Sequence, residues 1–310
     1  MNKVPIVFAF DNNLTMPAAV CIFSLLVNAK DDTHYDIYVL KRQGEDLDLR
    51  YADKVIDQFP KHSLTIREVG DTFDSSFEIR GITTPAYYRL LIPTLIPEYD
   101  KVLYSDVDVI FRDDLSHIYN TDIEDNYIGG VNAIVFLDGD LNDYYNKLGL
   151  DTQSIVYSGN LIFNNKAIRE NPELGLNFAT LAKNDYRFQD MDILNIACKG
   201  KIYQLKPEFC LTTYIYRSMV SNEKELLNVW TSVEMDYART HGLIHYNGQK
   251  PWKGYCVNFD IWWEYYRKSP IYDEKFYFDF FYKKLDEYDR LSLMKRIKIL
   301  ARYFVYGKKN

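Results

Sequence analysis

Two aspartates, Asp106 and Asp108, follow a run of apolar residues and are separated only by Val107. Hard divalent cations such as Mg²⁺ and Mn²⁺ take oxygen ligands and bridge to substrate phosphates, so a carboxylate pair of this kind suits such an ion. In apolar surroundings, two carboxylates without a counter-charge are costly. The pair therefore predicts a divalent-metal site, and the alternative is that the two acids simply hydrate the end of a strand.

A second set of chemically suited residues lies in the segment HGLIHYNGQKPW, residues 241–252. A neutral imidazole such as that of His245 is a good ligand for Mn²⁺ beside two carboxylates. Gly248 lets backbone N–H groups approach a phosphate, and Lys250 supplies a positive charge. This segment predicts the phosphate-facing half of a metal site, whereas a hydrogen-bonded core histidine is the alternative for His245.

The string around the aspartates, KVLYSDVDV, also fits the hhhh-D-x-D-x-V pattern of haloacid-dehalogenase-type phosphatases, in which the first aspartate is a nucleophile. In that family the pattern belongs to the first strand of the fold. Here three predicted strands precede the one that carries the pattern, so a phosphatase is the second interpretation.

The elements that must position these side chains alternate between short β-branched runs and helical stretches in the first half of the chain. Strands are predicted at 5–10, 36–40, 64–69 and 101–104, with helices at 17–29, 47–59 and within 83–96. Such alternation is typical of an α/β domain with a largely parallel sheet, whose ligands bind at the carboxyl ends of the strands. We expect one catalytic domain over residues 1–270, followed by an aromatic and basic tail, 271–310.

Composition excludes several classes of protein. The 310 residues are 47% apolar and 26% charged, unlike a disordered or collagen-like chain, and the net charge of −7 argues against a nucleic-acid partner. The four cysteines form no C-x-x-C pair, which fits a reducing compartment. The apolar run near the N-terminus is too short for a signal peptide, and no stretch approaches a membrane span. The sequence predicts a cytoplasmic protein.

The turn after the first predicted strand reads Asp11-Asn12-Asn13 and lacks the G-x-G-x-x-G of a dinucleotide Rossmann site. A nucleotide on this sheet would therefore have its diphosphate bound differently, most simply through a metal.

The combination of motifs resembles glycosyltransferase family 8, which includes bacterial lipo-oligosaccharide galactosyl- and glucosyltransferases and glycogenin. The resemblance rests on D-x-D after a strand, on H-x-x-G-x-K-P-W, and on the segments IVFAFDNN, TTPAYYRLLIP and QDMDILN. It extends from Ile6 to about Trp263. It implies a GT-A-type nucleotide-diphospho-sugar transferase fold, an α/β fold with a single Rossmann-like mixed sheet flanked by helices.

The resemblance also implies a retaining hexosyltransferase that moves glucose or galactose from UDP-glucose or UDP-galactose to a saccharide, glycolipid or glycoprotein acceptor. The metal, Mn²⁺ or Mg²⁺, is expected on Asp106, Asp108 and His245. The donor nucleotide is expected on Ala9, Asp11, Asn13, Arg89, Ser105, Val107, Gly248 and Lys250. The sugar is expected beside Ser158, Gly159, Asp190 and Met191, with Asp190 as the catalytic residue.

Three positions depart from the family's usual pattern. One residue, rather than two, separates Gly248 from Lys250. Tyr157 stands where an asparagine is usual, and Met191 stands where a glutamine is usual. These departures favour, as a further alternative, a non-catalytic module that binds UDP-sugar.

Asp190 and Asp192 allow more than one interpretation. Asp190 can stabilise an oxocarbenium-like sugar ring electrostatically, or it can form a covalent glycosyl-enzyme as retaining hydrolases do. Because the thioether of Met191 cannot act as a carboxamide does, we expect attack from the leaving-group face and an electrostatic role for Asp190. Both acids are also compatible with a structural role at a helix N-terminus.

The C-terminal tail has the pattern of a basic amphipathic helix. After Leu291 the chain has no acidic residue and six basic ones: Lys295, Arg296, Lys298, Arg302, Lys308 and Lys309. The apolar side chains between 293 and 305 fall on one side at 100° per residue. This pattern predicts peripheral attachment to an anionic membrane surface on the cytoplasmic side, and a helix docked on the domain is the alternative.

Overall fold

The computed structural model describes residues 2–73, 84–133 and 139–306, except for the side chains of Tyr303 and Tyr306. The strands in these residues are β1 (Asn2–Ala9), β2 (Thr33–Arg42), β3 (Ser63–Val69), β4 (Val102–Ser105), β5 (Val109–Ile110), β6 (Ile128–Asn132), β7 (Val156–Phe163), β8 (Ile202–Leu205), β9 (Leu211–Thr212) and β10 (Ile244–His245). They form a seven-stranded sheet in the order β3-β2-β1-β4-β7-β6-β8 and a three-stranded sheet in the order β5-β10-β9.

The large sheet is parallel on one side and mixed on the other. β1 pairs in parallel with β2 and β4, and β2 pairs in parallel with β3. β7 runs antiparallel to both β4 and β6. Each of the four predicted strands corresponds to one of β1 to β4, and the predicted α/β fold with a mixed sheet flanked by helices is confirmed.

Helices connect these strands. They are α1 (Thr15–Val27), α2 (Arg50–Ile56), α3 (Ile92–Leu95), α4 (Ser116–Tyr119), α5 (Gly139–Lys147), α6 (Asn165–Arg169), α7 (Pro172–Leu181), α8 (Gln189–Ala197), α9 (Thr213–Ser221), α10 (Glu223–Leu226), α11 (Ser232–His241), α12 (Phe259–Lys268), α13 (Glu274–Asp289) and α14 (Leu293–Tyr306). The helix predicted at 47–59 is observed over the shorter span Arg50–Ile56, as α2. The helix predicted within 83–96 begins as a 3-10 helix, Thr84–Leu91, and continues as α3, whereas Thr83 lies outside the described residues.

Hydrophobic cores lie on both faces of the large sheet. The adjacent residues Val7 and Phe8 of β1 belong to separate buried clusters, as expected for side chains that alternate along a strand. Trp262 and Trp263 of α12 are buried in the cluster that contains Phe8. These two aromatic residues therefore pack in the core.

The helices α13 and α14 lie outside these cores, because none of their described side chains is fully buried. α13 packs on α12 through Phe280 and Phe281, whose ring centroids lie 4.6 and 5.2 Å from that of Trp263. α14 packs against α9. Among the described residues, no helix combines the length and the apolar character that crossing a membrane requires. Lys308 and Lys309 of the predicted basic tail lie outside the described residues.

Candidate active site

The loop between β4 and β5 and the end of β10 bring the predicted metal ligands together. Asp106 is the first residue after β4, and Asp108 is the last before β5. His245 ends β10, where it pairs with Val109 of β5 in antiparallel register. The backbone N–H of Tyr246 donates a 2.8 Å hydrogen bond to the Asp108 carbonyl and extends this pairing. A short antiparallel contact thus joins residues that lie far apart in the sequence.

The ligand atoms of these three residues converge. His245 Nε2 lies 3.3 Å from Asp108 Oδ1 and 3.6 Å from Asp106 Oδ2. One ligand atom of each residue lies within 4.8 Å of the other two. Two carboxylate oxygens and one imidazole nitrogen are a suitable donor set for Mn²⁺ or Mg²⁺. The residues therefore fit one divalent cation.

Gly159 of β7 lies directly beside this group. A β-carbon at this position would lie 2.2 Å from His245 Cε1 and 2.7 Å from Asp106 Oδ2, far inside contact distance. The Gly159 carbonyl also accepts a 2.7 Å hydrogen bond from the backbone N–H of Asp106. The missing side chain therefore allows β7 to pass against two of the three ligands.

Positive charge surrounds Asp108. Lys250 Nζ forms an ion pair with Asp108 Oδ2 and donates a 2.7 Å hydrogen bond to the Tyr246 carbonyl. Burial raises the pKa of Asp108, but Lys250 and His245 outweigh it and hold the pKa well below its ordinary value. Burial lowers the pKa of His245, and the charge of Asp108 more than compensates and raises that pKa to about 10. A cation that binds His245 must therefore displace a proton.

Arg89 joins the metal ligands to the other end of the site. It lies in the 3-10 helix Thr84–Leu91 and is 4% exposed. Its Nη2 donates a 2.9 Å hydrogen bond to Asp106 Oδ1, and its Nη1 lies 3.2 Å from Asp190 Oδ2. Nη1 also donates to the Ser158 carbonyl at 2.7 Å. One buried guanidinium is thus shared by two carboxylates.

Asp190 lies in the first turn of α8 and is 5% exposed. Burial raises the pKa of Asp190, and the opposing influence of Arg89 does not fully compensate. Apart from its contact with Arg89, Asp190 Oδ2 accepts no hydrogen bond from the described residues. This carboxylate therefore has an oxygen available to stabilise positive charge that develops next to it.

Asp192, two residues further along α8, has a structural role. Its carboxylate accepts hydrogen bonds of 2.6 Å from Tyr144, 2.9 Å from Tyr145 and 2.9 Å from the backbone N–H of Phe188. These contacts hold the start of α8 and, with it, the position of Asp190.

The site residues line one cavity of about 450 Å³. Ten of the fifteen residues predicted for the site lie in its wall: Arg89, Asp106, Asp108, Ser158, Gly159, Asp190, Met191, His245, Gly248 and Lys250. Tyr157, which departs from the family pattern, also lies in the wall. The fold thus brings together the metal, phosphate and sugar residues that the sequence predicts.

Four further wall residues, Ala86, Phe188, Tyr214 and Asn247, were not predicted. Ala86 and Asn247 lie inside the segments TTPAYYRLLIP and HGLIHYNGQKPW, and Phe188 directly precedes QDMDILN, so position relative to these motifs was a usable signal. Tyr214, at the start of α9, belongs to no motif. Only the fold brings it to the cavity.

Five predicted site residues lie outside this wall: Ala9, Asp11, Asn13, Ser105 and Val107. The first three lie at the end of β1, which neighbours β4, and in the following turn. Asp11 Oδ1 accepts a 2.9 Å hydrogen bond from the backbone N–H of Asn13 and so caps a short 3-10 helix. Ser105 and Val107 are buried as whole residues, with 0% and 3% of their surface exposed.

A family model for glycosyl transferase family 8 matches residues 5–256. This span contains most of the chain and every predicted site residue. The chain belongs to glycosyl transferase family 8. The resemblance inferred from the sequence motifs is therefore confirmed.

Relatives of this family 8 protein occur in several bacteria. It is 28% identical over 215 residues to a Haemophilus influenzae protein named as a glycosyltransferase, a match that covers 67% of this chain and 63% of that protein. It is 25% identical over 268 residues to glycosyltransferase GlyF of Streptococcus pneumoniae, which covers 84% of this chain and 60% of GlyF. The chain therefore spans less than two thirds of the length of either relative.

Solved glycosyltransferases share the fold. Galactosyltransferase LgtC, in complex with donor and acceptor sugar analogues, superimposes with a TM-score of 0.71 at 24% identity over 88% of this chain and 98% of LgtC. The apo structure of the bifunctional glycosyltransferase WbbM gives 0.69 at 22% identity over 89% of this chain and 51% of WbbM. At these identities the likeness establishes the fold alone, and it does not identify the donor or the acceptor.

Proposed function

We propose that this family 8 enzyme is a retaining hexosyltransferase that transfers glucose or galactose from a UDP-sugar to a saccharide, glycolipid or glycoprotein acceptor, with Mn²⁺ or Mg²⁺. The observation that carries the proposal is the convergence of Asp106, Asp108 and His245 in a cavity that also contains Asp190. Breaking a glycosyl–phosphate bond puts negative charge on the diphosphate and positive charge on the sugar ring. The three metal ligands suit the negative charge on the diphosphate, because they can hold a cation beside it, and Asp190 suits the positive charge on the sugar ring.

The residues proposed to face the diphosphate can hold a cation, carry a positive charge, or leave the backbone accessible. A divalent cation on Asp106, Asp108 and His245 supplies charge stabilisation for the departing diphosphate. Lys250 lies in the same wall with its ammonium beside Asp108. Apart from its two chain neighbours, no described residue has an atom within 4 Å of the point where a β-carbon of Gly248 would stand, so the backbone there is open to phosphate oxygens.

The uridine is proposed to lie at the carboxyl end of β1, beside Ala9, Asp11 and Asn13. In open α/β sheets, ligands bind outside the carboxyl ends of parallel strands. Because β1 and β4 are parallel neighbours, their ends lie side by side, and β4 leads directly into Asp106. A nucleoside on β1 would then be continuous with a diphosphate at the metal ligands, where Ser105 and Val107 adjoin Asp106 in the chain.

The sugar end supports transfer with retention. Asp190 stabilises the positive charge on the ring, while Ser158 and Gly159 contact the sugar. Met191, which lines the cavity, offers neither a nucleophile nor a polar carboxamide. The acceptor hydroxyl therefore attacks the anomeric carbon from the side of the leaving diphosphate. The bond from that carbon to the diphosphate oxygen breaks, and the diphosphate takes the hydroxyl proton.

Assays of UDP release from UDP-glucose and UDP-galactose, with and without acceptor saccharides, test the proposal. We expect release that requires Mn²⁺ or Mg²⁺ and stops with EDTA, and a product with the anomeric configuration of the donor by NMR. Metal-dependent UDP binding without turnover would instead indicate a binding module. Release of phosphate from small phosphomonoesters would indicate the phosphatase alternative.

The helix α14 supports the proposal of peripheral attachment to an anionic membrane. Leu293 and Met294 are 72% and 75% exposed, and Ile297 and Phe304 on the same side are also exposed. Ile299, on the opposite side, faces the domain. The apolar face of α14 therefore points away from the domain, with Arg296 and Lys298 at its edges and Arg302 on the side of the domain. Exposed apolar side chains next to basic ones suit an interfacial helix.

Co-sedimentation with lipid vesicles tests this attachment. Leu293→Asp puts a negative charge on the outward face of α14 and is expected to reduce binding to phosphatidylglycerol vesicles. Leu176→Asp makes the same change at another exposed leucine, in α7, and is expected to bind as the wild type does. Equal binding by both variants would contradict the proposal. The four unpaired cysteines are consistent with the proposed cytoplasmic location.

A further inference from the structure

A second large cavity, of about 440 Å³, lies between α13, α14 and the loop that joins β10 to α12. Its volume falls within the ~300–1,000 Å³ that is common for small-molecule sites. Most of its wall is aliphatic or aromatic and includes Phe259, Phe281, Leu285, Leu291 and Ile299. We call it the apolar cavity.

Packing around the apolar cavity is incomplete. The rings of Phe259 and Phe281 pack with centroids 5.9 Å apart, but both remain half-buried. Leu285, one turn further along α13, is 58% exposed although it lines the cavity. Atoms along such a gap lack the contacts that a close-packed interior provides, and their apolar surface stays in water. A hydrocarbon ligand would supply the missing contacts.

Positive charge accompanies this apolar wall. Lys284 lines the cavity but is paired with Glu287 at 2.7 Å. Lys253 also lines it, is exposed, and forms no ion pair with the described residues. The neighbouring α14 carries four basic residues and no acidic one. An anionic group, such as a phosphate, is therefore the polar partner that this wall favours.

One loop separates the apolar cavity from the catalytic cavity. Gly248 and Lys250 line the catalytic cavity, whereas Gln249 between them lines the apolar cavity. Gln249 and Arg302 together line a third, smaller cavity, so α14 lies over this loop. A molecule whose chain occupies the apolar cavity would therefore have its polar end near the site of transfer.

We propose that the apolar cavity binds the hydrocarbon chain of an acceptor saccharide that is linked to a lipid through a phosphate. This inference rests on the proposed hexosyltransferase function and adds the class of acceptor. The chain packs on Leu285 and Ile299, the phosphate meets Lys253, and the saccharide passes the Gln249 loop toward Asp190. The outward face of α14 holds the same end of the enzyme against the membrane that contains the lipid.

Calorimetric titration of the full chain with decyl phosphate, below its critical micelle concentration, tests the site. Leu285→Trp puts a larger side chain into the cavity without leaving a void and is expected to weaken binding by about tenfold or more. Leu176→Trp makes the same change at an exposed leucine of α7 and is expected to bind decyl phosphate as the wild type does. Lys253→Gln is expected to weaken decyl phosphate binding but not decanol binding. Inorganic phosphate alone is expected not to compete.

Thermal stabilisation by UDP and Mn²⁺, measured on the same samples, separates failure of this inference from failure of the proposed function. Stabilisation by UDP without decyl phosphate binding overturns the lipid-chain site and leaves the hexosyltransferase proposal in place. No stabilisation of the wild type by UDP overturns the proposed function itself. Equal weakening by Leu285→Trp and Leu176→Trp indicates unspecific adsorption and overturns the inference. A dimer that only Leu285→Trp dissociates indicates a second copy in the cavity and also overturns it.

Discussion

Asp108 and Asp190 line the same cavity, but their surroundings act on them in opposite directions. Lys250 and His245 both approach Asp108 and, despite its burial, keep its pKa below the ordinary value. Among the described residues, Asp190 has a single cationic neighbour, Arg89, which it shares with Asp106, and burial raises its pKa. The cationic neighbours of Asp108 therefore outweigh the effect of burial on its pKa, whereas the neighbour of Asp190 does not.

The opposite electrostatic surroundings of the two aspartates suit two different roles in catalysis. An aspartate that remains ionised among cationic groups suits a ligand that stays positive throughout the reaction, such as a divalent metal ion. An aspartate with too little positive charge around it interacts more strongly when positive charge develops on a sugar ring in the transition state. Substitutions at the two positions are therefore expected to fail in different ways.

Asp108→Asn tests the metal end and is expected to have the largest effect. The amide removes a ligand charge and leaves Lys250 and His245 without their carboxylate. We expect kcat/KM for turnover of UDP-hexose to fall on the order of 10³-fold, and Mn²⁺-dependent thermal stabilisation by UDP to disappear. Asp143→Asn, at an exposed position of α5, is the matched control and should retain both properties. Unchanged UDP stabilisation in Asp108→Asn would refute the metal site.

Asp190→Asn tests the sugar end and is expected to separate catalysis from binding. We expect kcat to fall by about 10²-fold while Mn²⁺-dependent stabilisation by UDP persists, because the lost interaction acts mainly in the transition state. Arg89 still has Asp106 as a partner, so the fold should be kept. Initial rates and thermal shifts on one preparation measure both effects. If UDP stabilisation disappears here as well, the proposed division between the two aspartates is wrong.

Gly159→Ala tests the proposed metal ligands without changing Asp190. The added methyl group must displace His245 or Asp106, because its position lies within 3 Å of atoms of both. We expect Mn²⁺ affinity to fall by about 10- to 100-fold, measured by titration with an EPR readout. Gly175→Ala, in α7, adds a methyl group that meets no atom of the described residues within 4 Å outside its own helix, and it should keep the wild-type affinity. Similar affinities for the two variants would argue against close passage of β7.

The smallest expected effect is on the pH dependence of unfolding, measured with urea in EDTA. The low native-state pKa of Asp108 contributes stability above its ordinary pKa of 3.8, and that stability is lost as the pH falls. The raised native-state pKa of Asp190 has the opposite sign, because stability falls as the pH rises through the interval above 3.8.

At neutral pH, Asp108→Asn should therefore be less stable than the wild type, and Asp190→Asn should be more stable. Both differences should shrink toward acid pH. Differences of the same sign for the two variants would show that their surroundings do not act in opposite directions.

Local patterns were enough to predict much of this site. The apolar run before Asp106 predicted a buried strand that ends at a ligand, and the strand–helix alternation predicted the sheet edge where ligands bind. The segment around His245 predicted the second half of the metal site. Each of these inferences uses residues that are close in sequence or the general geometry of a sheet.

Contacts across the sheet were beyond such patterns. The ion pairs of Arg89 with Asp106 and Asp190 depend on where the antiparallel strand β7 enters between β4 and β6. The pairing of Lys250 with Asp108 and the proximity of Gly159 to His245 depend on the registers of β7 and β10. Register is set by long-range packing, which no single segment of the sequence encodes.

The bridge that Arg89 makes between Asp106 and Asp190 limits how this enzyme can be redesigned. A substitution that changes the charge of Asp190 leaves Arg89 paired with Asp106, whereas a substitution of Arg89 removes a partner from both carboxylates. An engineer who seeks a different donor preference should therefore vary the residues around Asp190, keep Arg89 in place, and screen variants for cation affinity together with sugar selectivity.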